Sequence, residues 1–156
     1  IRDAEEPAEP FDLLGGVKSK LYRYTIYNGS IRPVLHIKHC WHLPLEPDIA
    51  AMEKAAGHLL GRHDFRSFAS AADQRKSSVR TIFRCDVSKK DHWLYIDVEG
   101  DGFLYNMVRN IAGTLIDAGL DKTDPDSIPE ILQSKDRTQA GQKAPAAGLC
   151  LMWIKY

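Results

Sequence analysis

The clearest pattern in the chain is an apolar stripe at helical spacing in its second half. An apolar side chain recurs every four positions, at Phe103, Met107, Ile111 and Leu115. The pattern predicts an amphipathic helix that starts at residue 103 and stops at Gly119. Arg109 lies on the flank of the stripe, where a guanidinium needs an anionic or hydrogen-bonding partner. A core helix whose Arg side chain simply reaches to water is the alternative that this segment leaves open.

Gly113 lies in the middle of the predicted helix, one turn after Arg109. Glycine in a helix interior costs about 1 kcal/mol relative to alanine. We therefore expect another part of the chain to pack closely over Gly113, since a close approach of backbone would explain the missing side chain.

Alternating apolar and polar positions predict the strands. They cover residues 20–27, 79–88, 93–99 and 149–156, and residues 34–42 predict a further extended segment. In the 79–88 strand one face is expected to carry Val79, Thr81, Phe83, Cys85 and Val87. The other face is expected to carry Arg80, Ile82 and Arg84.

Two further helices complete the pattern. One opens at Pro47-Asp48 and stops at Gly61, and a short one is capped at Asp124-Pro125. Without the short helix, the order of elements is the split βαββαβ pattern of the ferredoxin-like fold, which the RNA-recognition motif shares. We therefore expect an α+β domain over residues 19–156, with an antiparallel sheet and helices on one face. The acidic, proline-containing residues 1–18 predict a linker.

Composition narrows the class of protein only a little. The formal net charge is zero, and no apolar run approaches the length of a membrane span. Three widely separated cysteines favour free thiols in a reducing, cytoplasmic compartment over a disulfide framework. The opening residues show no secretory signal pattern.

Two segments outside the regular elements are candidates for function. The first is basic and carries Arg62, Arg66, Arg75, Lys76, Arg80 and Arg84. It is compatible with contacts to phosphate, although a solvated charged loop gives the same pattern. The second, residues 137–148, is a long loop rich in Ala, Gly and Pro, and long loops in compact domains tend to be functional.

The sequence gives little support for a metal site or for a nucleophilic cysteine. A possible ligand group consists of His36, His39, Cys40 and His42. Side chains two apart on a strand are roughly 6–7 Å apart, which is awkward for one tetrahedral ion, and no second ligand cluster accompanies them. We therefore expect no metal site. Cys85 is in a structural position, and the chain has no glycine-rich phosphate loop.

Tyr22 and Tyr24 point to one side of the first strand, and Tyr27 points to the other. An aromatic strand face usually belongs to the core. It can also be a platform for base stacking when a basic region lies nearby. The residues alone leave both readings open.

Five segments together give the chain a family resemblance. In order they are residues 20–24, 60–68, 78–82, 102–115, and 136–138 leading through 144–149. From about Ser19 to Tyr156 the chain resembles the C-terminal, larger part of a tRNA pseudouridine synthase of the TruA family. It departs from the family pattern at Gln142 and Lys143, where Pro and Thr are more usual, and at Ala112, which replaces Val.

The resemblance implies half of a pseudouridine synthase fold and an isomerase that acts on uridines in the anticodon arm of tRNA. The family uses no cofactor or metal, and it implies a homodimer. Its catalytic aspartate lies in an Arg-Thr-Asp-Ala-Gly motif that is absent here, because Arg2-Asp3-Ala4 lacks the Thr and the Gly. We therefore expect a fragment without the nucleophile, inactive by itself.

Residue roles follow from the matched segments. Tyr22 corresponds to the tyrosine that packs on the target base and helps to move a proton at carbon 5. Arg109 corresponds to the basic residue that forms an ion pair with the catalytic aspartate. Candidate contacts to the tRNA backbone are Arg62, Arg66, Arg75, Lys76 and Arg80, with His63, Asp64, Phe65 and the loop 143–149 expected near the cleft.

Two other classes of function remain open. One is a non-catalytic RNA-binding module of the RNA-recognition type, which would use the open sheet face. The other is a ferredoxin-like metabolic or regulatory domain, which would show no salt-dependent binding to tRNA.

Overall fold

The computed structural model describes Glu6, Asp12, Leu13 and residues 15–156. Most of the predicted linker 1–18 and all of Arg2-Asp3-Ala4 lie outside these residues. Within these residues the six strands are β1 (Ser19–Tyr27), β2 (Trp41–His42), β3 (Gly61–Asp64), β4 (Val79–Lys90), β5 (Trp93–Gly100) and β6 (Leu149–Lys155). The three α-helices in the described part of the chain are α1 (Ile49–Gly57), α2 (Met107–Gly119) and α3 (Ile128–Ser134).

The sheet is built around β1. On one side β1 pairs antiparallel with β5, and β4 and β3 follow outward. On its other side β1 pairs antiparallel with β6 and, at its end, parallel with the short β2. The order β6-β1-β5-β4 is that of the ferredoxin-like fold, so the predicted α+β class and split βαββαβ topology are confirmed.

The helices cover one face of the sheet, as predicted. Tyr24 and Ile26 of β1 point into a core shared with α2, and both are fully buried. The opposite face carries half-buried polar and aromatic residues such as Arg23, Tyr27 and Tyr95. Of the two readings that the sequence leaves open for Tyr24, the structure therefore supports the core.

The region between β1 and β3 differs most from the prediction. Residues 34–42 are not extended: Val34–His36 form a 3₁₀ helix, and only Trp41–His42 pair with β1. The chain turns repeatedly here, because the His36 amide donates a hydrogen bond to the Pro33 carbonyl and the His39 amide donates one to the His36 carbonyl. Cys40 then packs inside this turn rather than along a strand.

Helix α1 begins as predicted, because the Asp48 side chain accepts hydrogen bonds from the Ala50 and Ala51 amides. It ends at Gly57, before the predicted stop at Gly61. Gly61 instead has φ +94° and opens β3, a strand that the sequence pattern does not predict. β3 is short and at the edge of the sheet, so alternation has too few positions to reveal it.

A β-bulge in β4 changes which side chains share a face. The register of β4 against β5 shifts between Ile82 and Arg84, so that Ile82 pairs with Gly100 and Arg84 pairs with Glu99. Ile82 is buried in the core, whereas Phe83 is 53% exposed. The predicted faces of the 79–88 strand are therefore wrong: Arg80 and Ile82 lie on the helix side, and Arg84 lies on the open side.

Helix α2 starts four residues later than the apolar stripe predicts. Asn106 adopts a left-handed conformation, φ 62° and ψ 8°, and the helix begins at Met107. Phe103 and Leu104 still pack toward the core from the preceding segment. Gly119 ends the helix as predicted.

Candidate functional site

Arg109 is held on the flank of α2 by two neutral acceptors. Its Nε donates to the Ala144 carbonyl at 2.8 Å, and its NH1 donates to Asn106 Oδ1 at 3.0 Å. The side chain is half-buried. Among the described residues no carboxylate lies within ion-pair distance of this guanidinium. Its charge is therefore oriented by the protein but left without a negative partner there.

The left-handed Asn106 is part of this arrangement. Asparagine tolerates positive φ better than most residues, yet the conformation is uncommon outside glycine. It turns the chain into α2 and brings Oδ1 to Arg109. A strained residue that orients a charged side chain is typical of functional sites.

The loop that contacts Arg109 is the long loop of residues 137–148, and several hydrogen bonds hold it along α2. The Gly141 amide donates to Thr114 Oγ1 at 3.0 Å, and the Gln142 amide donates to Asp117 Oδ2 at 3.0 Å. The Ala144 amide donates to the Arg109 carbonyl at 3.2 Å. The loop is therefore a fixed wall of the site.

Gly113 makes this close packing possible. An ideal Cβ at this position would lie 1.7 Å from the Gln142 carbonyl oxygen. The expected close approach of a second backbone is confirmed, and it is the loop that makes it.

Tyr22 lies on the same strand face as Tyr24, near the start of α2. Its ring meets that of Phe103 edge to face, with centroids 5.1 Å apart and planes at 86°. Both rings are half-buried and pack against the core. They form an aromatic corner with part of each ring left open to solvent.

A basic pocket adjoins this aromatic corner. It is lined by Lys20, Arg75, Val79, Arg80, Asp101, Gly102 and Phe103. Arg80 reaches it because of the bulge in β4, and its Nε would lie 3.3 Å from an ideal Cβ on Gly102. Three cations beside an aromatic ring form a surface suited to the phosphate and base of a nucleotide.

Asp73 holds the segment that carries Arg75 and Lys76 against this pocket. Its carboxylate accepts hydrogen bonds from the Tyr105 amide, the Arg75 amide at 2.9 Å and the Arg75 guanidinium at 2.5 Å. Burial by itself raises the pKa of Asp73, but these donors outweigh it and hold the pKa below its ordinary value. The carboxylate therefore stays ionised, although only 2% of the side chain is exposed.

The remaining predicted substrate contacts lie further along the sheet edge. His63 and Asp64 line a separate pocket next to α3, where Asp64 pairs with Lys135 at 3.2 Å. Burial raises the pKa of Asp64, but bonds from Ser78 and Lys135 and the Arg66 amide lower it overall. This pair is a structural contact between β3 and the residue that follows α3.

The structure separates some residues that the sequence groups together. Phe65 is fully buried in the core and cannot touch RNA in this conformation. Arg62 pairs with Thr81 and His63 with Arg80, so Arg62 lies on the opposite side of the sheet from Arg80. Arg66 and Lys76 are exposed, and neither lines the basic pocket.

Sequence reasoning missed several residues that shape the site. Lys20 is one, although it is the first residue of the segment 20–24 that contributes to the resemblance. Asp73 and Tyr24 act through hydrogen bonds to backbone groups far away in the sequence, and no spacing in the chain reveals such contacts. Asn106 acts through its side chain on Arg109, one turn further along. Asn106 carries the only available signal, since Asn at the start of a helix favours a turn.

The four side chains considered for a metal divide between two pockets, with His36 and His39 at one and Cys40 and His42 at the other. Cys40 Sγ donates to the His36 carbonyl at 3.2 Å, and a His42 ring nitrogen lies 2.9 Å from the Gly29 carbonyl. Within the described residues no three His, Cys, Asp or Glu side chains converge as metal ligands would.

All three cysteines are free. None of the helices in the described part of the chain combines the length and apolar character that a bilayer crossing demands.

Comparison with known proteins gives consistent matches. A family model described as tRNA pseudouridine synthase matches residues 55–156. A tRNA pseudouridine synthase A of Geotalea uraniireducens is 46% identical over 156 residues, which is 100% of this chain and 64% of the relative. Proteins of the same name from Ruminiclostridium cellulolyticum and Caldicellulosiruptor saccharolyticus are 44% and 40% identical, again over 100% of this chain and 64% of each relative.

Proposed function

We propose a function from one premise: the chain belongs to the TruA family of tRNA pseudouridine synthases. The chain spans 64% of the length of each relative named above, so the activity of the whole protein is part of the proposal. We infer that this domain supplies one wall of an active site that isomerises uridine to pseudouridine in the anticodon arm of tRNA. The reaction needs no cofactor or metal.

The observation that carries this proposal is the guanidinium of Arg109. The fold fixes two of its nitrogens with neutral acceptors, and its charge has no carboxylate partner in the described residues. A half-buried cation of this kind stabilises an anion brought to it. The catalytic aspartate of the family is such an anion, and Arg109 would keep it ionised, as a nucleophile must be.

The chemistry then divides between Arg109 and Tyr22. The bond between ribose and the uracil nitrogen breaks, the base turns within the site, and a bond from carbon 5 to the ribose carbon replaces it. The hydrogen on carbon 5 leaves as a proton and the base nitrogen gains one, so the product is an isomer of the substrate. Tyr22 packs on the base and, through its hydroxyl, assists the proton transfer at carbon 5.

Substrate binding falls to the basic pocket. Lys20, Arg75 and Arg80 would neutralise phosphates on either side of the target base, whereas Phe103 and Tyr22 offer ring surfaces. Arg66 and Lys76 would extend this surface along the RNA. We further infer a homodimer, and a cytoplasmic location where the free thiols stay reduced.

The direct test is to incubate the full-length protein with a tRNA transcript and to quantify pseudouridine by mass spectrometry of the digested RNA. Pseudouridine should appear in the anticodon arm without added metal or cofactor. The isolated chain, residues 1–156, should bind tRNA and form no product. Absence of product from the full-length protein would overturn the proposal.

An RNA-binding module is the second candidate. The open sheet face carries a ring pair, Tyr27 and Trp93, with centroids 4.8 Å apart. Such a face could stack bases without chemistry. Salt-dependent tRNA binding that Tyr27→Ala abolishes, together with no pseudouridine, would favour this candidate.

A further inference from the structure

We propose that Tyr24 is a positioning residue: its hydroxyl fixes the Arg109 guanidinium through the Ala144-Pro145 backbone. This inference rests on the proposed role of Arg109. Tyr24 is fully buried and does not reach the substrate side of the site. It acts on the reaction only through the loop.

The first step in the connection is the bond from Tyr24 to the loop. The Tyr24 hydroxyl donates to the Pro145 carbonyl at 2.6 Å. Burial raises the pKa of Tyr24 far above its ordinary value, although the nearby Arg109 charge opposes this, so the hydroxyl keeps its proton. An ideal Cβ on Gly148 would lie 2.7 Å from the Tyr24 ring, so the chain after Pro145 packs directly on the ring as well.

The second step runs from the loop to Arg109. Ala144 contacts Arg109 twice: its amide donates to the Arg109 carbonyl at 3.2 Å, and its carbonyl accepts from Arg109 Nε at 2.8 Å. Pro145 follows directly, and its ring restricts the backbone between the two carbonyls. The carbonyl that binds Tyr24 and the carbonyl that binds Arg109 are therefore one residue apart on a stiff segment.

Removing the hydroxyl tests this connection with the smallest possible change. Tyr24→Phe keeps the ring and its packing but removes the hydroxyl that donates to the Pro145 carbonyl. We expect the loop to shift and Arg109 to lose its orientation. A small misplacement in a reacting site slows turnover by roughly tenfold to a hundredfold, whereas tRNA affinity should change less than about twofold.

The matched control is Tyr95→Phe. Tyr95 lies on the neighbouring strand β5, on the open face, and its ring contacts Arg23. Tyr95→Phe removes the same hydroxyl oxygen as Tyr24→Phe, from a residue of the same sheet that lies away from the loop. The full-length Tyr95→Phe protein should keep wild-type kcat and KM.

Hydrogen exchange measured by NMR separates this inference from the proposed function. In the wild-type full-length protein the Arg109 Nε–H and the Ala144 amide should both exchange slowly. In Tyr24→Phe both should exchange at least about tenfold faster, while amides in the middle of α2 stay protected. A merely structural role of Tyr24 would speed exchange throughout α2 by the same factor.

Each outcome bears on the inference. Fast Arg109 Nε–H exchange in the wild type would overturn it, even if Tyr24→Phe does not fold. Unchanged exchange and turnover in a folded Tyr24→Phe protein would also overturn it. Selective loss of Arg109 and Ala144 protection supports it even if the protein makes no pseudouridine, an outcome that would refute only the proposed function.

Discussion

Gly113 and Gln142 approach so closely that the missing side chain of the glycine defines the site. An ideal Cβ on Gly113 would lie 1.7 Å from the Gln142 carbonyl oxygen and 2.8 Å from its carbonyl carbon. Two residues further along, Ala144 bonds to Arg109. The glycine in α2 thus sets how near the loop can come to the guanidinium.

Gly113→Ala should push the loop off the helix. The obstructing atoms are backbone, so they cannot move aside cheaply, and we expect a loss of about 2–3 kcal/mol in the free energy of unfolding. Chemical denaturation of the purified protein measures this loss. Gly57→Ala is the control, since nothing lies within 4 Å of its Cβ at the end of α1. That variant should gain about 0.5–1 kcal/mol from helix propensity. Equal stability of the two variants would contradict the packing account.

Arg80→Ala should weaken tRNA binding by the full-length protein. The bulge in β4 directs Arg80 into the basic pocket, whereas Arg84 lies on the opposite face beside Asp97, at 3.5 Å. A plot of log Kd against log salt should lose about one unit of slope in Arg80→Ala, because one phosphate contact disappears. Arg84→Ala should leave the slope unchanged. A larger effect in Arg84→Ala would place the RNA on the open face.

Asp73→Asn should destabilise the protein in a pH-dependent way. The folded-state pKa of Asp73 is depressed, so ionisation stabilises the fold above the ordinary aspartate pKa of about 3.9. That contribution declines as the pH falls through the still lower pKa of the folded state. The stability difference between wild type and Asp73→Asn should therefore be largest near pH 7 and shrink below about pH 4.

Thermal unfolding of wild type and Asp73→Asn across this pH range measures the stability difference. Asp126→Asn is its control, since Asp126 forms an exposed pair with Lys54 at 2.5 Å and contributes little. A difference for Asp73→Asn that stays constant down to pH 3 would show that packing, and not the carboxylate charge, is what the substitution removes.

The sequence predicts most of the fold because its long elements have regular patterns. Helix α2, the hairpin of β4 and β5, and the stop at Gly119 all follow from periodicity over many residues. β3 and the turn at residues 34–42 do not, because short elements contain too few positions for a period to show. The bulge at Ile82–Arg84 is equally invisible, since one extra residue reverses every later side chain without changing the composition.

The site is predicted only in part for a related reason. Arg109 and Gly113 stand out because each is unusual at its position in an apolar helix. Tyr24 looks like any core tyrosine, and its bond to Pro145 spans 121 residues of sequence. Asp73 looks like a solvated acidic residue in a basic loop. Partners that meet only in the folded chain leave no local pattern.

Tyr22→Phe separates stacking from proton transfer. The variant keeps the edge-to-face contact with Phe103, so tRNA affinity should stay within about twofold, while loss of an acid–base group should lower kcat about a hundredfold. Tyr22→Leu removes the ring as well and should also raise KM. Steady-state kinetics of the full-length variants gives both constants. A fully active Tyr22→Phe protein would show that the hydroxyl has no essential part.

Arg109 carries the central claim, and single-turnover kinetics of full-length Arg109→Ala tests it most directly. The guanidinium is proposed to hold a carboxylate nucleophile, and not the RNA. The account predicts that the rate of pseudouridine formation falls by at least about a thousandfold, the scale of a lost electrostatic contact to a reacting group. It also predicts that the Kd for tRNA changes only a few-fold. Retention of most of the rate, or a loss that appears only in tRNA affinity, would contradict the account.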